Sequence, residues 1–142
     1  MTMNIAQIMI PKVCTIFLHQ DNTIRQGLEI MLRHGYTAVP VLDQGDKYVG
    51  CVTEGDFLRH IIDVGATEMR AQEKYTLKTI LRQDFCPPLP ITAESTVVIN
   101  AILEQNFVPI VDDRQALCGI ITRRCVISYF SDTAGLGAAK PR

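Results

Sequence analysis

Val39-Pro40-Val41-Leu42-Asp43 recurs as Val108-Pro109-Ile110-Val111-Asp112, and Gly50-Cys51-Val52-Thr53 recurs as Gly119-Ile120-Ile121-Thr122. Every matched position lies 69 residues from its counterpart, with no gap between the two landmarks. Two landmarks doubled at one spacing in a chain of 142 residues are a tandem duplication, and this decides the fold.

Around these landmarks each copy reads as strand, helix, strand, strand, helix. In the first, Thr23 N-caps a helix with Ile24, Leu28, Met31 and Leu32 at the 3.6-residue period, and Gly35 stops it. Val39 to Leu42 is a strand, Asp43-Gln44-Gly45-Asp46 supplies turn chemistry, and Lys47 to Val52 returns. A helix follows from Gly55 with Phe57, Leu58, Ile61 and Ile62 inward, and a short strand near Thr15 to Leu18 precedes the copy. The second copy takes the same order through Thr92 to Gln105, Val108 to Val111, Leu117 to Ile121 and Arg123 to Phe130. Neither copy alone buries much apolar area, so the two are expected to pack as one α+β unit of tandem βαββα repeats. Residues 1–70 form the first repeat with an N-terminal helix at Ile5 to Met9, and 71–131 the second, led by a helix at Leu77 to Leu81. Gly65 to Tyr75 is expected as a surface connection and 132–142 as a flexible tail.

Composition removes several classes of function. A net charge of −1 lacks the basic footprint of general nucleic-acid binding, so any anion site must be local. No apolar run approaches the ~20 residues of a membrane helix, and residues 1–10 lack the pattern of a secretion signal, which implies a cytoplasmic protein. Five widely spaced cysteines without C-x-x-C indicate neither a disulfide framework nor zinc; reduced, mostly buried thiols are expected, with Cys51 and Cys118 on or beside strands. The histidines His19, His34 and His60 fall near no cysteine or acidic cluster at ligand spacing, so no metal site is expected. Cys86 has no histidine near it in sequence, and no phosphate loop or carboxylate pair stands out; no catalytic residues are assigned.

The most informative chemistry lies at Thr122-Arg123-Arg124. Thr122 reads as the N-cap of the last helix, and amide dipoles leave positive charge at a helix start, where each cation costs roughly 0.3 to 1 kcal/mol. Two arginines there suggest an anion: free amides, a hydroxyl and guanidinium forks are what a phosphate needs. The alternative is that both simply point into water.

The doubled x-V-P-[VI]-[VL]-D and G-h-h-T signatures, with h apolar, resemble those of tandem cystathionine-beta-synthase (CBS) domains, or Bateman modules, from about Ile5 to Phe130. The resemblance implies pseudo-two-fold packing of the repeats, adenine nucleotides bound in clefts between them, regulation of a partner protein and no catalysis. Lys12, the run Tyr36 to Asp43, and Thr122-Arg123-Arg124 narrow the likeness to stand-alone CBS pairs of Gram-positive bacteria that bind cyclic di-AMP. A first cleft would then combine Lys12, Cys14 and Thr15 with Tyr36, Thr37, Ala38, Val39 and Pro40 and with Thr122, Arg123 and Arg124. Tyr36 offers a flat face to adenine, and Ala38 lets the base approach the backbone. Tyr36 as a half-buried strand residue and Lys12 as a solvated lysine are the structural alternatives.

A second cleft would pair Thr53 and Asp56 with Asn106, Phe107 and Pro87-Pro88. Thr53-Glu54-Gly55-Asp56 matches the family's phosphate- and ribose-binding turn, yet T-x-x-D is equally a helix capping box. Pro87 and Pro88 remove amide donors that base reading needs, which favours the first cleft. Cys125 replaces the aspartate in the second copy, which disfavours ordinary AMP or ATP contacts there, whereas Asp56 looks like a general AMP or ATP site. Cyclic di-AMP is therefore the favoured ligand, with AMP or ATP or a ligand-independent adaptor as alternatives. A two-fold homodimer through apolar helical faces is expected.

Overall fold

The computed structural model describes residues 3–82 and 84–133. The chain divides into two compact units, Ile16–Phe85 and Met1–Thr15 with Cys86–Arg142.

The first unit contains β2 (Leu18–His19), α2 (Ile24–His34), β3 (Ala38–Leu42), β4 (Tyr48–Thr53) and α3 (Glu54–Val64), with a three-stranded sheet in the order β2-β3-β4. The other contains α1 (Ile5–Ile8), β1 (Ile10–Pro11), β5 (Leu89–Pro90), α4 (Ser95–Glu104), β6 (Phe107–Val111), β7 (Leu117–Thr122) and α5 (Arg123–Thr133), with strand order β1-β7-β6-β5. The α+β fold of two tandem βαββα repeats is what the duplication required.

The shared motif has a physical reason at each position. Asp43 Oδ1 accepts from Gly45 N at 2.8 Å and Lys47 N at 2.9 Å, and Asp112 Oδ1 accepts from Arg114 N at 2.8 Å and Ala116 N at 3.0 Å. Each aspartate thus closes its hairpin turn, and the left-handed residues Asp46 and Gln115 are counterparts too. β2 pairs β3 only at Val41 and Leu42, and β5 pairs β6 only at Ile110 and Val111. Pro40 and Pro109 therefore sit where the strand has a partner on one side alone, the place a residue without N–H is tolerated.

Three sequence expectations are corrected. The N-terminal helix does not join the first repeat: Met3 and Ile5 fill a core with Val98, Ile102, Val108, Ile110 and Ile121, and β1 pairs antiparallel with β7. Gly119 makes this pairing possible, because a Cβ there would collide with the Ile10 carbonyl oxygen. Residues 71–85 correspondingly lie in the unit of the first repeat. Second, Leu32, Leu58 and Ile62 are 76%, 60% and 68% exposed rather than inward, while Phe57 and Met31 fill the core with Ile24, Val39, Val41 and Val52. Third, the segment Gly65 to Tyr75 is more than a surface connection. It forms a 3-10 helix at Met69–Lys74 whose Gln72 is fully buried, bonded to His60 Nε2 at 2.7 Å and donating to Ala66 O at 2.8 Å.

Asp132 and Thr133, read as the start of the tail, belong to α5; residues 134–142 lie outside the described residues. No helix among the described residues is long and apolar enough to cross a membrane.

Cys51 is buried on β4 and Cys118 is half-buried on β7. Burial, and then the Asp112 carboxylate, push the Cys118 thiol above its ordinary value. Because the thiolate is the reactive form, Cys118 should resist iodoacetamide near pH 8 while exposed Cys14 is modified readily, as peptide mass spectrometry of a time course will show. Equal rates at the two sites would contradict this.

Candidate functional site

Thr122 ends β7 and opens α5. Its hydroxyl accepts from Cys125 N at 3.3 Å and lies 3.2 Å from Cys125 Sγ. The counterpart Thr53 does the same for Asp56 N at 3.3 Å, but there Asp56 Oδ2 returns to Thr53 N at 2.8 Å and closes a capping box. Cysteine provides no such return, and α5 has no acidic residue in its first turn. The start of α5 is thus left positive.

Of the two arginines only one faces this opening. Arg123 Nε donates to Ile102 O at 3.2 Å, in the last turn of α4, where carbonyls without helical partners favour a cation. One of its five N–H donors thus has a structural use. Arg124 lines a cavity of about 570 Å³ with Thr122 at the end of β7, with Cys125, Ser128, Tyr129, Asp132 and Thr133 of α5, and with Gln7, Ile8 and Ile10 near the N-terminus. That volume suits a small-molecule ligand, for which sites of roughly 300 to 1,000 Å³ are usual. Ser128, Tyr129, Asp132 and Gln7 were not singled out in the sequence, although Arg124, Ser128 and Asp132 stand at i, i+4 and i+8 on one helical face.

The remaining candidates are placed differently. Ile10 pairs with Ile120 and Pro11 with Gly119, so the chain runs away from Thr122 into the 3-10 turn Lys12–Cys14. Lys12, Cys14 and Thr15 consequently do not line the α5 cavity, and Thr15 Oγ1 donates to Pro11 O at 2.9 Å. In the other unit Tyr36 is exposed, stacks on His34 at 5.9 Å, and borders an apolar cavity of about 290 Å³ with Leu28, Leu32, Phe57 and Leu58. Thr37 O accepts from Glu54 N at 3.1 Å. Val39 and Pro40 have buried side chains, so any contact they make is through the backbone.

The backbone of β3 is the informative feature there. Pro40 has no N–H for β4, so its backbone groups face away from that strand, and those of Ala38, two residues earlier, face the same way. This edge turns the Ala38 N–H and carbonyl, one donor and one acceptor, away from β4. The equivalent edge of β6 is already taken, since Phe107 O accepts from Cys86 Sγ at 3.5 Å and Gln105 Nε2 at 3.2 Å. Phe107 itself is buried in the core, Pro87 O accepts from Gln105 Nε2 at 3.2 Å, and Asn106 is exposed at the bend before β6.

Asp56 resolves between its two readings. Its side chain is 1% exposed; besides the capping box it has Arg82 Nε at 2.8 Å and Arg59 Nη1 at 3.3 Å. The Arg82 guanidinium also lies 3.6 Å over the Phe85 ring. Both oxygens of Asp56 are occupied by the protein itself, which corrects its assignment as a ribose acceptor in this conformation. Among the described residues no cluster of three His, Cys, Asp or Glu could hold a metal ion.

The family model of the CBS domain matches residues 5–63. Cyclic di-AMP receptor B of Bacillus subtilis (strain 168) is 25% identical over 123 residues, covering 87% of this chain and 83% of its own. The crystal structure of CbpB in complex with c-di-AMP superposes with a TM-score of 0.86 at 18% identity, covering 94% of this chain and 87% of that one. CBSX2 in complex with AMP gives a TM-score of 0.75 at 18% identity, with 92% and 98% covered.

Proposed function

We propose that this chain, which has the fold of the CBS-domain proteins it resembles, is a non-catalytic regulatory module for an adenine nucleotide, cyclic di-AMP foremost. It acts in the cytoplasm and reports occupancy to a partner protein. The observation that carries this reading is the start of α5, where Arg124 faces a cavity at a helix end that no carboxylate neutralises. Thr122 and Arg124 hold phosphate oxygens through the hydroxyl, the free amides and the guanidinium. Arg123 fixes α5 against α4 and so positions its neighbour. In the other unit the backbone edge of β3 at Ala38, two residues after Tyr36, offers base-reading chemistry. Cyclic di-AMP receptor B and the CbpB complex support the ligand class.

AMP is the second reading, favoured by the CBSX2 complex and by there being one arginine rather than two at the cavity. Calorimetric titration with cyclic di-AMP, AMP, ATP and cyclic di-GMP tests both. Saturable binding of cyclic di-AMP in preference to cyclic di-GMP is expected; a preference for AMP selects the second reading, and no binding of any adenine nucleotide overturns both.

The apolar residues left exposed on helices, Leu58 and Ile62 of α3 with Ile127 and Phe130 of α5, support a homodimer. Light scattering at micromolar concentration should give twice the 15.9 kDa chain mass, and a monomer with and without nucleotide would contradict it.

A further inference from the structure

The two helix starts that the duplication makes equivalent, those of α3 and α5, are in opposite states. Gly119 faces the Ile10 carbonyl oxygen and Met9 Sδ, and Gly50 faces the Arg82 carbonyl oxygen and Leu81 Cδ2. Arg82 therefore stands in the first unit where Ile10 stands in the other. Ile10 borders the α5 cavity with Thr122 and Cys125. Arg82 instead reaches the counterpart of Cys125: its Nε lies 2.8 Å from Asp56 Oδ1, its Nη2 donates to Oδ2 at 3.4 Å, and its guanidinium stacks 3.6 Å over Phe85. One copy leaves its helix start open beside an aliphatic side chain; the other fills it with a cation from its own chain.

That cation is held by charge and stacking more than by hydrogen bonding. Arg82 Nε is buried and, despite the short distance, its N–H is not directed at the carboxylate, so a buried donor is left unmet. The two oxygens of Asp56 differ in turn. Oδ2 is bound by Thr53 N at 2.8 Å and Thr53 Oγ1 at 3.0 Å, whereas Oδ1 meets Arg82 and, at 3.3 Å, the exposed Arg59. Oδ1 is the acceptor that departure of Arg82 would free.

We propose that Arg82 is an autoinhibitory side chain: it occupies Asp56 and closes the start of α3 to adenine mononucleotides, so that the chain takes nucleotide at the start of α5 alone. This rests on the nucleotide reading above and extends it from the helix start that binds to the equivalent one that does not. A carboxylate accepts and cannot donate at neutral pH, so the ligand kept out is one that offers hydroxyl donors. AMP presents a free 2′,3′-diol, whereas each ribose of cyclic di-AMP has its 3′ oxygen in a phosphodiester and keeps one hydroxyl. By denying the diol its acceptor, Arg82 biases the chain towards the cyclic dinucleotide.

Calorimetric titration of wild type, Arg82→Ala and Arg82→Ile with AMP, 2′-deoxy-AMP and cyclic di-AMP tests this, with circular dichroism to confirm each fold. Arg82→Ile gives the start of α3 the aliphatic neighbour that the start of α5 already has. Both variants should bind one AMP per chain more than wild type. The added site should bind 2′-deoxy-AMP at least about tenfold more weakly, and cyclic di-AMP affinity should stay within about threefold of wild type. Adding Asp56→Ala to Arg82→Ala should abolish the added site. Two AMP bound per wild-type chain, folded Arg82 variants that take up no more AMP than wild type, or an added site that survives Asp56→Ala would overturn the proposal. If wild type binds none of the three and the variants bind one AMP, the α5 reading fails and inhibition by Arg82 stands. If no protein binds any of them, both fail.

Discussion

Replacing Asp56 with alanine is expected to lower the stability of the protein by about 2 to 4 kcal/mol, far more than loss of a surface charge. Two contributions add. The capping box at the start of α3 is worth roughly 1 kcal/mol, and the charge-assisted contacts of a fully buried carboxylate are worth roughly 1.5 to 3 kcal/mol. Here those contacts come from Arg82 at 2.8 Å and Arg59 at 3.3 Å. The Arg82 side chain is 39% exposed, so water meets part of its need once the carboxylate is gone, which sets the upper limit. Asp56→Asn should fall between, keeping a cap acceptor while losing the charge. Urea denaturation of the three proteins measures this, and an Asp56→Ala loss under ~0.5 kcal/mol, the range of ordinary surface substitutions, would contradict a structural role. Cyclic di-AMP affinity at the α5 cavity should stay near wild type, because Asp56 belongs to the other unit.

The contrast between Asp56 and Cys125 shows what the sequence made legible. Doubling of the V-P-x-x-D and G-h-h-T landmarks carried the order of elements, because turn closure by Asp43 and Asp112 and helix capping by Thr53 and Thr122 are local acts. Local chemistry repeats with the sequence. Arg82 reaching Asp56 from 26 residues away is not local, and nothing in T-x-x-D distinguishes a carboxylate awaiting ribose from one already held. The same holds for Arg123, whose partner is the Ile102 carbonyl. Adjacent identical residues point in different directions on a helix, so the pair could be read as one site only until the directions were seen. The placement of Met1–Thr15 with Cys86–Arg142 was hidden for another reason: Gly119 signals a close approach but not which strand makes it.

Tyr129 and Asp132 could have been found by following Arg124 down its own helical face. Asp132 was passed over because residues 132 onward looked like a polar tail. Helix propensity weighs little against packing, and Val126 and Tyr129 pack on the core of this unit, carrying the helix to Thr133.

The central claim is that the start of α5 is a phosphate site worked by Arg124. Its alanine variant separates effects that every other reading leaves together. In the free protein Arg124 opposes the helix dipole and has no partner among the described residues, so its removal should leave stability unchanged or raise it by a few tenths of a kcal/mol. In the proposed complex it gains charge-assisted hydrogen bonds worth about 1.5 to 3 kcal/mol, so its removal is expected to lower affinity by roughly tenfold to over a hundredfold. Arg123→Ala should show the reverse balance, losing stability with its bond to Ile102 while affecting affinity less. The most direct measurement is calorimetric titration of wild type and Arg124→Ala with cyclic di-AMP, beside thermal melts of both without ligand. A large fall in affinity with an unchanged or slightly higher melting temperature is the predicted result. Undiminished cyclic di-AMP binding by a folded Arg124→Ala protein would contradict it.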